Sequence, residues 1–264
     1  MTSSALVTAL GVLTTISQIA LTLSPVPDLL RVHRTKSTGA MLLSPLVAMW
    51  INNHLWVVYA YPVGNIFPLF AVALFGEVLS IVFTIFYAYW CKDRAYVTKI
   101  VALGLLAFVP VTVYFVLSVA DVIPQSHDVF VNVLGYLAVA MNFFLYSAPL
   151  EKVARVISTK SAESIPILMS CMIFANTTLW FISGVVTGDM FLLVPNAAGM
   201  VLSSIQIVLY FVYRPQAQTF NEGSDNVTKL EITVDLESQN TANTRSPTSS
   251  TFQPIASPLA PIKA

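Results

Sequence analysis

Long apolar runs separated by short polar stretches limit what this chain can fold into more than any other feature. The hydrocarbon core of a bilayer is about 30 Å thick and holds no water to satisfy a bare peptide group. A segment that crosses it is therefore a helix of about 20 residues or a strand of a closed barrel. The runs here have helix length: 5–27, 40–61, 66–90, 97–119, 128–150, 164–185 and 190–213. They predict an all-α membrane protein with seven transmembrane helices. Charge agrees, at 10% of residues against about 25% in a soluble domain. The N-terminus lacks the basic region of a cleavable signal peptide, so the first run reads as a retained helix. Cys91 and Cys171 do not form a disulfide framework. From Arg214 onward the chain is rich in Ser, Thr, Asn, Gln and Pro. Residues 214–264 have too little apolar surface to fold and read as a disordered cytosolic tail.

Basic residues set the orientation, because cytosolic loops collect Lys and Arg. Arg31, Arg34 and Lys36 follow the first run, Lys92, Arg94 and Lys99 the third, and Lys152, Arg155 and Lys160 the fifth. Arg214 follows the seventh. The loops on the other side carry Asp121, His127, Asp128 and Asp189. The N-terminus is thus expected outside and the tail in the cytosol, with the plasma membrane as the expected location. Zero net charge gives no hint of a nucleic-acid partner. No metal cluster, nucleotide loop or nucleophile constellation stands out, so neither an enzyme nor a cofactor is expected.

The chain also repeats itself at an offset of 124, the separation of Pro25 from Pro149. In that frame Arg31 meets Arg155, and Thr35-Lys36-Ser37 meets Thr159-Lys160-Ser161. Asn52 meets Asn176, Leu55 meets Leu179, Trp56 meets Trp180, and Gln18 meets Asn142. Helices 1–3 therefore repeat as helices 5–7, with helix 4 left over to restore the topology of the second copy. The expected division is a first triple-helix repeat at 1–95, a linker helix at 96–120 and a second repeat at 121–213. Parallel repeats related by an axis along the membrane normal suggest a transporter with its site at their interface. A seven-helix receptor has no need of such halves.

Asn52 and Trp56 are four apart and share a helix face, as do Asn176 and Trp180. An amide in an apolar helix costs free energy unless paired, so it faces a bundle interior or a cavity. Amides that hydrogen-bond hydroxyls, beside indoles that stack on a pyranose, would make a sugar pocket. Interhelical glue with ordinary tryptophan packing is the plainer reading. Gln18 and Asn142 would reach the same centre from helices 1 and 5. Pro25, Pro45, Pro149 and Pro166 lie near the cytosolic helix ends, where proline kinks or ends a helix. Glu77 and His54 are ionisable groups inside spans and hence functional candidates by default. His54 is two positions from Asn52 and is expected to face away from it.

Taken together, Ser24-Pro25, Arg31 to Thr38, Pro45, Trp56-Val57-Val58-Tyr59, Ala148-Pro149-Leu150, Pro166, Asn176, Trp180 and Val194-Pro195-Asn196 resemble the SWEET sugar transporters. That family, also called MtN3/saliva, is a type example of parallel repeats. The resemblance covers roughly residues 5–213 and implies seven helices arranged as two parallel three-helix bundles joined by a linker helix. It implies a facilitative, bidirectional uniporter that moves a sugar by alternating access, without a coupling ion. It adds Asn196 to the pocket, makes the four prolines an inner gate, and makes Tyr59 and Asp189 an outer gate closed by a phenol–carboxylate hydrogen bond. Phe70 is expected where the family has the asparagine that pairs with Asn196. Amides at 52 and 176 point to a monosaccharide such as glucose. Assembly into a homo-oligomer fits the family, with no contact surface named. The alternative is a proton-coupled amino-acid carrier of the related PQ-loop type. Those relatives carry Pro-Gln where this chain has Pro25-Val26 and Pro149-Leu150.

Overall fold

A computed structural model describes residues 4–213; residues 1–3 and the predicted tail, 214–264, lie outside them. All regular structure among the described residues is helical. The order is α1 (Ser4–Thr22), α2 (Val26–Thr35), α3 (Ser44–Val63), α4 (Ala71–Trp90), α5 (Arg94–Val119), α6 (His127–Leu145), α7 (Ser147–Thr159), α8 (Ile167–Thr187) and α9 (Met190–Tyr213). A wide π-turn, Ile66–Phe70, leads into α4. The first and fifth predicted spans are each interrupted once, giving α1–α2 and α6–α7.

The interruptions and starts coincide with the prolines. Pro25 lacks the N–H that would continue α1, and it stands at the N-cap of α2. Pro149 lies in the first turn of α7. Pro45 lies in the first turn of α3, and Pro166 is the N-cap of α8. At a helix start the missing donor costs nothing, because the first N–H groups have no intrahelical partner. All four prolines therefore mark where a helix begins.

The duplication reaches the backbone caps. Lys36 and Lys160, 124 apart, end α2 and α7 in the left-handed region, at φ 51° and 54°. Gly64 and Gly188, again 124 apart, end α3 and α8 at φ 74° and 69°. Glycine suits such a cap because it has no Cβ to clash there.

Six segments are long and apolar enough to cross a membrane. The seventh span, α3, misses that threshold because Asn52, Asn53 and His54 sit in its middle. Eleven of its 20 residues are buried, so its polar groups face protein rather than lipid. The linker helix α5 is the opposite case: only Gly104 and Ser118 along it are buried. It rests on α3, where Gly104 lies against Val47 and Phe108 packs on Trp50 at 5.1 Å between ring centroids. Within each triplet α4 lies on α3, and α9 on α8. The triplets meet through α1 with α8 and α3 with α6.

Candidate functional site

A cavity of about 180 Å³ opens where the two triplets meet. Gln18 on α1, Asn52 and Trp56 on α3, and Asn142 on α6 line it. So do Asn176 and Trp180 on α8, and Asn196 on α9. Seven residues singled out in the sequence thus come to one wall-to-wall site. Phe70 does not line it. It belongs to the π-turn at the start of the third span and is half-buried against the core. The π-turn instead presents Leu69, and α4 presents Val72 and Ala73. Beyond the π-turn the matching positions stand 123 apart: Leu69 and Leu192 both line the cavity, and Ser80 bonds back to Gly76 O as Ser203 does to Gly199 O. The π-turn thus adds one residue to the first copy, and the mate of Asn196 is Ala73.

The amides are partnered unequally. Gln18 Oε1 accepts hydrogen bonds from Asn176 Nδ2 at 3.0 Å and from Trp180 Nε1 at 3.1 Å, which fastens α1 to α8. The repeat mate of Gln18 is Asn142, one methylene shorter. It donates only to its own helix, to Ala138 O at 3.3 Å. Asn196 likewise donates to Leu192 O at 2.7 Å. Two amide oxygens, Asn52 Oδ1 and Asn176 Oδ1, are buried without a hydrogen-bond partner in the protein. Leaving such an acceptor unmet costs about 1–3 kcal/mol. One comes from each triplet, and both belong to residues of the cavity wall.

Three further polar lining residues escaped the sequence reading: Asn53, Thr177 and Tyr146. Asn53 and Thr177 are repeat mates, and each lies against a glycine of the next helix, Gly76 and Gly199. A polar pair at matching positions was the available signal. Tyr146 gave none, because its repeat mate is Thr22.

At the end of the helices away from the basic loops, Tyr59 Oη donates to Asp189 Oδ1 at 2.8 Å. The same carboxylate oxygen accepts from the N–H groups of Phe191 and Leu192 and so caps α9. Tyr59 is 2% exposed, and its ring meets Trp56 and Phe191 edge-on, each at 5.6 Å. Leu192 lines the central cavity. Asp189 lines a second one of about 460 Å³, with Asn65 and Ser183. The bond therefore stands between the two. Asn65 and Ser183 are the repeat mates of Asp189 and Tyr59. Asn65 keeps the capping role, accepting from Leu69 N, but the pair lacks a phenol to close a second latch.

At the opposite end Gln206 links two of the prolines' surroundings. Its Nε2 donates to Pro149 O at 3.4 Å, and its Oε1 accepts from Ser170, in the first turn of α8 after Pro166. Glu77 and His54 pair on the back of α3, outside the cavity lining. His54 Nδ1 lies 2.9 Å from Glu77 Oε1, and its Nε2 lies 3.0 Å from Thr112 Oγ1 on α5.

Comparison with known proteins gives consistent results. Residues 8–95 and 132–218 match the family model of the sugar efflux transporters for intercellular exchange. The bidirectional sugar transporter SWEET11 of Oryza sativa subsp. japonica is 32% identical over 213 residues, 81% of this chain and 68% of that protein. SWEET15 of the same plant, also a bidirectional sugar transporter, is 29% identical over 227 residues, covering 86% and 70%. The fold is that of a solved eukaryotic SWEET transporter, with a TM-score of 0.69 at 23% identity, covering 78% of this chain and 96% of the other.

Proposed function

The chain belongs to the family of sugar efflux transporters for intercellular exchange, and we propose that its central cavity carries a monosaccharide of glucose size. It is a multi-pass membrane protein and a facilitative, bidirectional sugar transporter. The observation that supports a sugar in this cavity is the pair of partnerless amide oxygens, Asn52 Oδ1 and Asn176 Oδ1. A sugar's ring of hydroxyl donors would satisfy one acceptor from each triplet. The indoles of Trp56 and Trp180 would cover its C–H faces.

On this reading the triplets at 1–95 and 121–213 rock against each other about the cavity, with 96–120 as the linker. The Tyr59–Asp189 bond latches the outer end, and the four proline-marked helix starts give way at the inner end. The N-terminus lies outside, and the basic loops and tail face the cytosol of a plasma-membrane transporter. The sugar gradient is the only energy source. Glu77 is bonded to His54 away from the cavity, which fits a carrier with no coupled proton.

Uptake of labelled glucose into proteoliposomes tests the proposal. The expected result is equilibration far faster than in empty vesicles and unchanged by a protonophore. Uptake at the empty-vesicle rate, or uptake abolished by the protonophore, would refute it.

The latch has its own consequence. A hydrogen bond to a charged acceptor contributes about 1.5–3 kcal/mol, so Tyr59→Phe should shift the equilibrium toward an open outer end by roughly 10- to 100-fold. The reporter is Ala73→Cys on the cavity wall, in a background with Cys91→Ala and Cys171→Ala. Its labelling by an impermeant thiol reagent added outside should speed up accordingly. An unchanged labelling rate would mean that the bond does not hold the outer end shut.

A further inference from the structure

We propose that Tyr146 is the size-limiting wall of the cavity, a residue that excludes sugars larger than a monosaccharide and seals the site from the bilayer. The inference rests on the reading of the cavity as the sugar site and names what limits it. Tyr146 occupies the break between α6 and α7, the point where the chain is free to swing a side chain inward. Its repeat mate at the matching break is Thr22, whose hydroxyl turns back onto Gln18 O of its own helix at 2.9 Å. One triplet thus offers a small side chain at this level, and the other a phenol.

The phenol is fixed on three sides. Its Oη donates to Pro195 O at 2.7 Å. Phe143 packs on the ring edge-on at 5.9 Å. A Cβ at Gly199 would lie 2.7 Å from Tyr146 Oη and 2.8 Å from Thr177 Cγ2, so only glycine lets the ring lie against α9. A ring held in this way does not swing aside for a larger ligand.

Tyr146 also stands between two spaces. One side lines the central cavity. The other lines an apolar groove of about 460 Å³ with Leu150, Ala198, Val201 and Ile205, which open toward lipid. Removing the ring would join the polar cavity to that groove and give a second sugar ring room on the α9 side.

The experiment compares labelled glucose and labelled sucrose uptake for wild type, Tyr146→Thr, Tyr146→Leu and Tyr146→Phe. Each is reconstituted after a check of its size-exclusion profile. Wild type is expected to prefer glucose. Tyr146→Thr copies the repeat mate, and Tyr146→Leu frees space while keeping an apolar seal. Both should raise sucrose uptake relative to glucose by about 10-fold or more. Tyr146→Phe keeps the ring volume and should keep the preference. If Tyr146→Thr aggregates, Tyr146→Leu alone decides. Sucrose uptake at the wild-type level in a well-behaved Leu or Thr variant that still carries glucose would overturn the inference while leaving the sugar site in place. Failure of the site itself would show differently, as wild-type glucose uptake indifferent to Asn176→Ala.

Discussion

Replacing Asn176 with alanine is expected to lower glucose uptake about 100-fold at low sugar concentration, with normal amounts of protein in the vesicles. Two losses combine. The free Oδ1 no longer accepts a hydroxyl from the sugar. The Nδ2 no longer donates to Gln18 Oε1, so the glutamine is held by Trp180 alone, and the indole loses part of the brace that orients it. Each lost buried hydrogen bond is worth about 1–3 kcal/mol, and 1.4 kcal/mol is a factor of ten. Asn52→Ala removes a similar acceptor, but Asn52 braces no partner across the interface. Its effect should be smaller, about 10-fold. Asn142→Gln offers a further check. It gives the second triplet the side-chain length that Gln18 has in the first and lets an amide reach toward Asn52 and Trp56. If it satisfies Asn52 Oδ1 internally, glucose binding weakens. The measurement is the initial rate against sugar concentration for each variant. Equal rates for wild type and Asn176→Ala would remove the amide from the site.

Much of this was legible in the sequence because the duplication and the bilayer each impose a strict rule. A spanning segment must be a helix, so seven runs give seven spans. A residue that recurs 124 positions on is found in the same place in each triplet. Lys36 and Lys160, Gly64 and Gly188, and the two Asn–Trp faces all follow that rule. What escaped was whatever breaks the symmetry or depends on local backbone. Phe70 was misplaced as the mate of Asn196 because the third span opens with a π-turn that the apolar pattern does not reveal. That turn adds one residue to the first copy, so the frame shifts to 123 and leads to Ala73 instead. Pro25 and Pro149 mark interruptions near the ends of their spans, but hydropathy does not show where the preceding helices stop, after Thr22 and at Tyr146. Tyr146 reaches the cavity only because of such a break and because Gly199 leaves room. Neither condition is visible from an aromatic residue in an apolar run. The unequal partnering of Gln18 and Asn142 turns on one methylene, which matters only once the distance between α1 and α8 is known.

His54→Ala is expected to cost the largest share of stability of any single change considered, about 3–5 kcal/mol, through the group it leaves behind. The side chains of His54 and Glu77 are 8% and 12% exposed. They lie where α3, α4 and α5 meet, under Phe108, whose ring centroid is 4.1 Å from that of the imidazole. Whichever residue holds the proton, the pair satisfies itself through Nδ1 and Oε1, and Thr112 takes the other ring nitrogen. Without the imidazole, the Glu77 carboxyl faces an aromatic ring and hydrocarbon with no partner. The linker helix also loses a polar tie to α3. The removal of one member of a buried pair differs from the removal of both. His54→Leu with Glu77→Leu takes away the polar groups together and should recover most of the loss. Glu77→Gln keeps an amide oxygen for His54 Nδ1 and should cost little. Thermal unfolding in detergent separates these cases, with His54→Ala lowering Tm by about 10 °C and the double variant returning close to wild type. The same set distinguishes a structural pair from a proton relay. Glucose uptake by Glu77→Gln should equal that of wild type with or without a protonophore. A fall in uptake that leaves Tm unchanged would instead place Glu77 in the transport cycle.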